Sequence, residues 1–157
     1  MNVTTRLNGK PFSFDAAPGE RLVDVLRDHG FMGTKFGCGT GECGACVVLL
    51  DGEPVNSCLV LAPRVEGRSI LTIEGLGTPA APHPLQEEFA DAGAVQCGFC
   101  TPGMVLSAHA LLLRNPSPNR QEVAAALDGN LCRCTGYVKI VDAVMAAAAR
   151  RREEARP

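Results

Sequence analysis

Eight cysteines are the residues of this 157-residue chain best suited to do chemistry, and they form two sets of four. The first set is spaced C-x4-C-x2-C-x11-C, and the second combines a C-x2-C pair with a later C-x-C pair. The two sets are Cys38, Cys43, Cys46 and Cys58, and Cys97, Cys100, Cys132 and Cys134. Four thiolates that converge repel one another unless a cation lies between them. The cysteines therefore predict one metal site in each half of the chain.

The first set opens with the C-x4-C-x2-C spacing by which plant-type ferredoxins hold a [2Fe–2S] cluster with four thiolates. Glycines let the main chain wrap such an anionic cluster closely and point N–H groups at its sulfur atoms. The glycines interleaved with these cysteines are Gly37, Gly39, Gly41 and Gly44. Cys58 is expected on a later strand, where it would close the cage. The alternative is a zinc site, but four-cysteine zinc sites usually pair two short knuckles, and this half has one.

The second set, taken alone, also suits zinc or a thioredoxin-like dithiol, because a C-x2-C pair serves all three chemistries. The placement of its two pairs favours an iron–sulfur cluster. Cys97 and Cys100 come just before one predicted helix, and Cys132 and Cys134 come just before another. The partial positive charge at a helix N-terminus favours an anionic group. The second half is therefore predicted to bind a four-thiolate metal centre.

The surrounding composition argues against disulfides, nucleic acid and a membrane span. The first ten residues, MNVTTRLNGK, contain no apolar run typical of a signal peptide. We therefore expect a cytoplasmic protein, and in that reducing compartment cysteines are more often metal ligands than disulfides. With a net charge of −2, the chain has no overall basicity that would argue for a nucleic-acid partner. The apolar stretches are shorter than the roughly 20 residues that cross a bilayer.

The elements that must position the first set follow a strand-rich pattern. Val3, Thr5 and Leu7 alternate in the manner of a strand, and the turn dipeptide Asn8-Gly9 predicts a hairpin. The other predicted elements are a helix at 21–29 and strands at 47–50 and 69–73. This order indicates a small ubiquitin-like α+β domain.

The second half is predicted to contain four helices. They are Pro84 to Ala92, Pro102 to Arg114, Asn119 to Asp128, and Gly136 to about Arg151. Thr101 is the predicted N-cap of the second of these helices, and Asn119 with Glu122 resembles a capping box. Gly129 stands where a C-cap glycine belongs. The Gly- and Pro-rich segment 75–83 is a plausible linker, so we divide the chain into domains at 1–76 and 77–157.

Domains of this size bury too little core to be comfortably stable, so a metal cluster bound in each domain would stabilise it.

The remaining candidates for side-chain chemistry have structural interpretations. His29 and His109 fall within predicted helices and His83 in the linker, so each is assigned a structural or solvent-facing role. The stripe of Met104, Val105, Ala108, Leu111 and Leu112 has the spacing of a helix face that packs in a core.

Three segments carry a resemblance to a known family. CGTGECGAC (38–46), QCGFCTPGM (96–104) and NLCRCTGY (130–137) resemble the small iron–sulfur subunit of the xanthine oxidase family of molybdenum hydroxylases. That family includes the small subunits of carbon monoxide dehydrogenase, isoquinoline and nicotinate oxidoreductases, and 4-hydroxybenzoyl-CoA reductase. The resemblance extends from the first hairpin to about Ala149, and no ligand position departs from the family pattern.

The resemblance implies a fold and two ligand sets. The implied fold is α+β, with an N-terminal plant-ferredoxin-like β-grasp domain followed by a C-terminal four-helix domain. By the same resemblance, the first cysteine set holds the [2Fe–2S] cluster nearer the flavin, and the second set holds the cluster nearer the molybdenum. Cys134 would lie against the pterin, and Gln96 would contact the same cofactor. The alternative for Gln96 is a glutamine that caps the loop.

The resemblance also implies a function and partners. The chain would relay single electrons between a molybdopterin centre and a flavin, with no catalytic residue or substrate site of its own. Molybdopterin and FAD would belong to a large and a medium subunit, in a heterotrimer or a dimer of heterotrimers. One alternative is a free-standing two-cluster ferredoxin, which would purify alone, whereas a subunit would copurify with larger chains and expose an apolar docking patch. The other is an interaction module stabilised by zinc or disulfides.

Overall fold

The computed structural model describes residues 1–154, which form one mixed sheet of five strands and six α-helices. The strands are β1 (Asn2–Leu7), β2 (Lys10–Asp15), β3 (Val47–Leu50), β4 (Glu53–Asn56) and β5 (Ser69–Leu71). The helices are α1 (Leu22–Asp28), α2 (Ile73–Leu76), α3 (Pro84–Asp91), α4 (Thr101–Arg114), α5 (Arg120–Leu127) and α6 (Val138–Glu154). Two 3₁₀ helices, Ser57–Leu59 and Ala62–Val65, lie between β4 and β5. The predicted α+β class is confirmed.

The sheet is built from two tight hairpins. Asn8 and Gly9 have φ angles of 51° and 79°, and they join β1 to β2 with Leu7 opposite Lys10. Positive φ at both central residues is the requirement of a type I′ turn, whose twist matches that of the strands. Asp51 and Gly52 repeat this arrangement between β3 and β4, with φ angles of 52° and 88°.

The strand order β2-β1-β5-β3-β4 places β5 in the centre of the sheet. It runs parallel to β1 and antiparallel to β3. Helix α1 packs on one face through Leu22, Val25 and Leu26, each 2% exposed or less. The loop between α1 and β3 carries the first three cysteines, so the sheet and α1 fix both of its ends.

The second half contains α3 to α6 around a separate core. The predicted apolar stripe of α4 is buried throughout and belongs to this core: Met104, Val105, Ala108, Leu111 and Leu112. The capping box of α5 is confirmed, because the Asn119 side chain accepts from the Glu122 N–H at 2.9 Å and the Glu122 carboxylate accepts from the Asn119 N–H.

Several predicted boundaries were wrong by a few residues. Helix α4 begins at Thr101 itself, with Cys100 as the N-cap. Asp128 is the C-cap of α5, and Gly129 is not among the glycines with positive φ. The predicted strand ends at Leu71, because the chain turns into the short helix α2 at Ile73.

The segment between the halves is more structured than a free linker. Thr78 and Ala81 form a tight turn through paired backbone hydrogen bonds of 3.1 Å. His83 then caps α3, since its Nδ1 accepts from the Leu85 N–H at 3.2 Å. Nowhere in residues 1–154 does a helix have both the length and the apolar character needed to cross a membrane.

The two halves meet where α4 packs against the sheet. Leu106 and Ala110 of α4 are each 1% exposed, and they pack with Val47 and Leu49 of β3. These four residues form a third buried cluster that joins the two larger cores. The contact brings the N-terminal end of α4 close to the first cysteine loop.

Candidate metal centres

The first cysteine loop points backbone N–H groups at sulfur. The Cys38 Sγ accepts from the N–H groups of Thr40 and Cys43, each at 3.4 Å, and the Cys43 Sγ accepts from the Cys38 N–H at 3.4 Å. Hydrogen bonds from the Thr40 side chain and from these N–H groups lower the pKa of Cys38 to about 5. A hydrogen bond to the charged form favours ionisation, so this loop is shaped for thiolates.

Glycine is required at two positions of this loop. A Cβ on Gly37 would lie 2.9 Å from the Cys43 Sγ. Gly44 has a φ of 70°, and a Cβ there would lie 2.2 Å from the carbonyl oxygen of Gly129. Larger residues would therefore displace either a ligand sulfur or the neighbouring backbone, as the interleaved glycines predicted.

Cys46 and Cys58 complete the first set in the protein interior. They are 2% and 5% exposed, and their thiols are hydrogen-bonded to each other. Burial, followed by the hydrogen bond with Cys46, raises the pKa of Cys58 to about 11. The expectation that Cys58 lies on a strand was wrong, because β4 ends at Asn56 and Cys58 lies in the following 3₁₀ helix.

Two neighbours fix that 3₁₀ helix against the cysteine loop. The Ser57 hydroxyl donates to the Cys46 carbonyl at 2.7 Å, and the Ser57 N–H donates to the same oxygen at 3.3 Å. Asn56 Nδ2 donates to the Gly41 carbonyl at 2.8 Å. These bonds hold Cys58 beside Cys46 although 11 residues separate them in the sequence.

The second set also comes together in pairs. The Cys97 and Cys134 sulfur atoms are 3.6 Å apart, and both residues are exposed. Cys100 and Cys132 are partly buried and their thiols are hydrogen-bonded. Burial, followed by that hydrogen bond, raises the pKa of Cys100 to about 12.

The pKa values of Cys132 and Cys134 shift in opposite directions. Burial acts to raise the pKa of Cys132, but hydrogen bonds from the side chain and N–H of Thr135 outweigh it, and the pKa is lowered. The hydrogen bond with the Cys97 thiol raises the pKa of Cys134.

Helix starts position both pairs of the second set. Cys100 is the N-cap of α4, and Tyr137 immediately precedes α6 with a φ of 70°. Its hydroxyl accepts from the Cys132 N–H at 2.8 Å, which folds the loop back over the start of the helix. Helix α6 therefore begins at Val138, not at the predicted Gly136.

Gln96 bonds the two cysteine loops of the second half. Its exposed side chain donates through Nε2 to the Cys134 carbonyl at 3.1 Å. This bond runs from one cysteine loop to the other, and the pterin contact of Gln96 stays a prediction. Gln96 and Cys134 lie side by side, and both are exposed at the surface.

The pairing of the sulfur atoms provides a test of what the cysteines could hold. In a [2Fe–2S] cluster each iron takes two protein thiolates, whereas a single zinc ion takes all four around one point. The pairs found are Cys46 with Cys58, Cys97 with Cys134, and Cys100 with Cys132, while Cys38 and Cys43 exchange N–H···S bonds. The donors therefore fit a dinuclear cluster in each half.

Sequence reasoning missed three residues that shape these centres. Asn56 and Tyr137 bond the cysteine loops directly, and Asn130, only 3% exposed, bonds the two halves to each other. Asn130 and Tyr137 lie in the segment NLCRCTGY, but its spacing gave no signal of their roles. Asn130 bonds a residue 86 positions away, and Tyr137 bonds Cys132 only because the loop folds back.

Exposed apolar side chains surround the first loop. The rings of Phe36 and Phe99 are 43% and 46% exposed, and Leu59 is 63% exposed. A Cβ atom built on Gly39 would lie 3.1 Å from the Phe36 ring, and one built on Gly37 would lie 3.7 Å from the Phe99 ring. One built on Gly41 would lie 2.3 Å from the Leu59 side chain. These three side chains, together with Leu131 at 56% exposure, form what we call the apolar rim.

Comparisons with known proteins match both halves of the chain to iron–sulfur families. Residues 5–72 match the family described as a 2Fe-2S iron-sulfur cluster binding domain, and residues 72–145 match the [2Fe-2S] binding domain family. The small FeS subunit of nicotinate dehydrogenase from Eubacterium barkeri is 48% identical over 151 residues, which cover 96% of each chain.

Solved structures give the same result. A chain of quinoline 2-oxidoreductase from Pseudomonas putida 86 has a TM-score of 0.93 and 47% identity, covering 98% of this chain and 96% of that one. The aldehyde oxidoreductase from Desulfovibrio desulfuricans has a TM-score of 0.94 and 47% identity, covering 98% of this chain but 17% of that longer one. This chain belongs to the small iron–sulfur subunits of the xanthine oxidase family of molybdenum hydroxylases.

Proposed function

We propose that this chain carries two [2Fe–2S] clusters and relays single electrons between a molybdopterin centre and a flavin on partner chains. The proposed ligands of the first cluster are Cys38, Cys43, Cys46 and Cys58. Those of the second cluster are Cys97, Cys100, Cys132 and Cys134. The observation that carries the proposal is the arrangement of the sulfur atoms in pairs within each half. When bound, each cluster takes up and releases one electron, so the two together handle a two-electron oxidation in single steps.

The chain's own residues would hold the clusters and adjust their potentials. The N–H groups of Thr40 and Cys43 that point at Cys38 stabilise negative charge on sulfur, and such bonds raise a cluster's reduction potential. Burial of Cys46 and Cys58 acts in the opposite direction, because a low-dielectric environment disfavours added negative charge. Each half thus contributes thiolates together with its own pattern of hydrogen bonds and burial.

The exposed ligands suggest where electrons enter and leave. Cys38 in the first set is exposed, as are Cys97 and Cys134 in the second. We assign Cys134, with Gln96 beside it, to the side facing the molybdopterin partner, and the first set to the side facing the flavin partner. The Gln96–Cys134 hydrogen bond would then hold the carbonyl group of Cys134 at that contact.

The apolar rim favours a subunit over a free-standing ferredoxin. Phe36, Leu59, Phe99 and Leu131 leave four large apolar side chains in solvent beside the cysteine loops. Clusters of this kind mark protein–protein contacts on otherwise polar surfaces. We infer a large molybdopterin-binding subunit and a medium FAD-binding subunit as partners, assembled as a heterotrimer or a dimer of heterotrimers.

Two further assignments complete the proposal. We divide the chain into a ferredoxin-type domain at 1–76 and a four-helix domain at 77–157, which is supported by a separate buried core in the described part of each half. We also propose that the complex works in the cytoplasm, because in a reducing compartment cysteines stay as thiols that can bind metal more often than they form disulfides.

Metal and sulfide analysis tests the cluster assignment. We expect about four irons and four acid-labile sulfides per chain after anaerobic purification, since each [2Fe–2S] cluster contributes two of each. Reduction with dithionite should give two distinct S = 1/2 EPR signals. Two zinc ions per chain without sulfide would overturn the electron-transfer function.

Copurification tests the partner assignment separately. The tagged chain, expressed from its native source, should elute with two larger chains that contain molybdenum and FAD. The chain eluting alone, yet with both clusters, would instead support the free-standing ferredoxin. A Phe99→Glu variant should retain its clusters and lose the larger chains, because a charge at the apolar rim would oppose docking.

A further inference from the structure

One buried amide connects the two cysteine loops. Asn130 lies two residues before Cys132 and is 3% exposed. Its Nδ2 donates to the Gly44 carbonyl at 3.1 Å, and its Oδ1 accepts from the Ser107 hydroxyl of α4 at 2.8 Å. Gly44 lies between the ligands Cys43 and Cys46, so a single side chain reaches from the second cysteine set into the first.

The backbone beside this amide makes the same connection. The Leu131 N–H donates to the Cys43 carbonyl at 2.8 Å. Two parallel hydrogen bonds therefore join adjacent residues of one loop, Cys43 and Gly44, to adjacent residues of the other, Asn130 and Leu131. A pair of bonds between two segments fixes their separation and also their relative rotation.

The three segments approach one another too closely for any side chain to intervene. A Cβ on Gly103 of α4 would lie 2.4 Å from the Gly44 carbonyl oxygen and 2.9 Å from Asn130 Nδ2. A Cβ on Gly44 would lie 2.6 Å from that same Nδ2. Glycines on both sides thus leave the Gly44 carbonyl accessible to the amide.

The Asn130 amide satisfies both partners at this position. The Gly44 carbonyl needs a donor, and the Ser107 hydroxyl donates to an acceptor, so the side chain must present one of each. An aspartate of the same shape could still accept from Ser107, but it would place a carboxylate oxygen against the Gly44 carbonyl. An aspartate at position 130 would therefore break the bond to Gly44 and keep the bond to Ser107.

We propose that Asn130 is a positioning residue that fixes the distance between the two clusters. The proposal rests on the proposed function, because it concerns how two bound clusters are held relative to each other. Breaking the bond to Gly44 would let the first loop move away from Cys132 while each set of four thiolates remains complete. The interaction between the clusters would then weaken although both are present.

The test is the magnetic interaction between the two reduced clusters in the purified complex. Spin–spin splitting of their EPR signals falls steeply with distance, so it reports separation without reference to activity. We expect Asn130→Asp to retain about four irons and four sulfides per chain and to show a smaller splitting. Ser107→Ala keeps the bond to Gly44 and should show the splitting of the unaltered chain. Asn119→Asp, the same exchange at an exposed helix cap, is the matched control.

A second variant keeps the proposal testable if Asn130→Asp loses a cluster. Gly103→Ala leaves Asn130 intact but pushes on the Gly44 carbonyl from α4, and it should also reduce the splitting. Unchanged splitting in every variant that holds both clusters would overturn the positioning role. Absence of sulfide from the unaltered chain would instead overturn the proposed function itself, so the two failures are distinguishable.

Discussion

The ligand sets differ at the scale of single residues in how they are protected. Cys46 and Cys58 are almost fully buried, whereas Cys97 and Cys134 are exposed. An exposed thiolate pair is open to solvent and to a partner chain, and a buried pair is not. The first set therefore contains a pair of thiols that solvent and a partner chain cannot reach, whereas no pair of the second set is buried to that degree.

Replacing one ligand in each set should remove one cluster at a time. We expect Cys46→Ser and Cys132→Ser each to lower the iron and sulfide content from about four to about two per chain, because we propose that each set holds its own cluster. The EPR spectrum should retain a different one of the two signals in each variant. The variants are reciprocal controls, and loss of the same signal in both would contradict two independent ligand sets.

Tyr137 should stabilise the second centre through one hydrogen bond. In Tyr137→Phe the Cys132 N–H loses its partner, and an unsatisfied, partly buried donor costs about 1–3 kcal/mol. The second cluster should therefore be lost to an iron chelator several-fold faster, while the first is lost at the original rate. Equal loss of both EPR signals over time would show that the hydroxyl has no local role.

Three helices meet at a pair of histidines. His83 before α3 and His109 in α4 have ring centroids 5.0 Å apart, and they line a cavity of about 300 Å³ with Arg151 and Glu154 of α6. Burial, followed by the charges of His83 and Arg151, lowers the pKa of His109 to about 4. Burial and Arg151 lower the pKa of His83 as well, and only Glu87 acts in the opposite direction.

The stability of this helix junction should fall as the pH falls from about 6.5 towards about 4. In that range the unfolded chain binds a proton at His109 and the folded chain does not, so acid favours unfolding. Partial exposure limits the effect to roughly 1–2 kcal/mol. Urea unfolding of His109→Gln should show a shallower loss between pH 7.5 and 5 than the unaltered chain. A constant difference between the two proteins at every pH would contradict this.

The elements themselves were largely predictable because their signals are local. Asn8-Gly9 fixed the first hairpin, and the capping box at Asn119 fixed the start of α5. The spacing of Cys38, Cys43 and Cys46 likewise predicted their common loop. Cys58 was assigned to the wrong element because its 3₁₀ helix is held by Ser57 and Asn56, whose partners are 11 and 15 residues away. Asn130 bonds a residue 86 positions away, a contact that no local pattern encodes.

At the scale of the whole molecule, α4 belongs to both halves. One face of this helix packs in the helical core through Met104 and Val105, and another packs against β3 through Leu106 and Ala110. The same helix carries Cys100 at its N-terminus and Ser107 in the bridge to the first loop. The sequence predicted the core-facing stripe but not the second face, because it could not show which strand would lie opposite.

Truncating a side chain on the face of α4 that packs against β3 should therefore destabilise both halves together. Leu106 is 1% exposed, and Leu106→Ala should cost about 2–5 kcal/mol, the usual range for a buried leucine. Leu113→Ala is the matched control, because Leu113 lies on the same helix at 53% exposure and should cost less than about 0.5 kcal/mol. In urea, both EPR signals of Leu106→Ala should disappear in one transition at a lower midpoint. Loss of the second signal alone, with the first at its original midpoint, would mean that the sheet domain does not depend on α4.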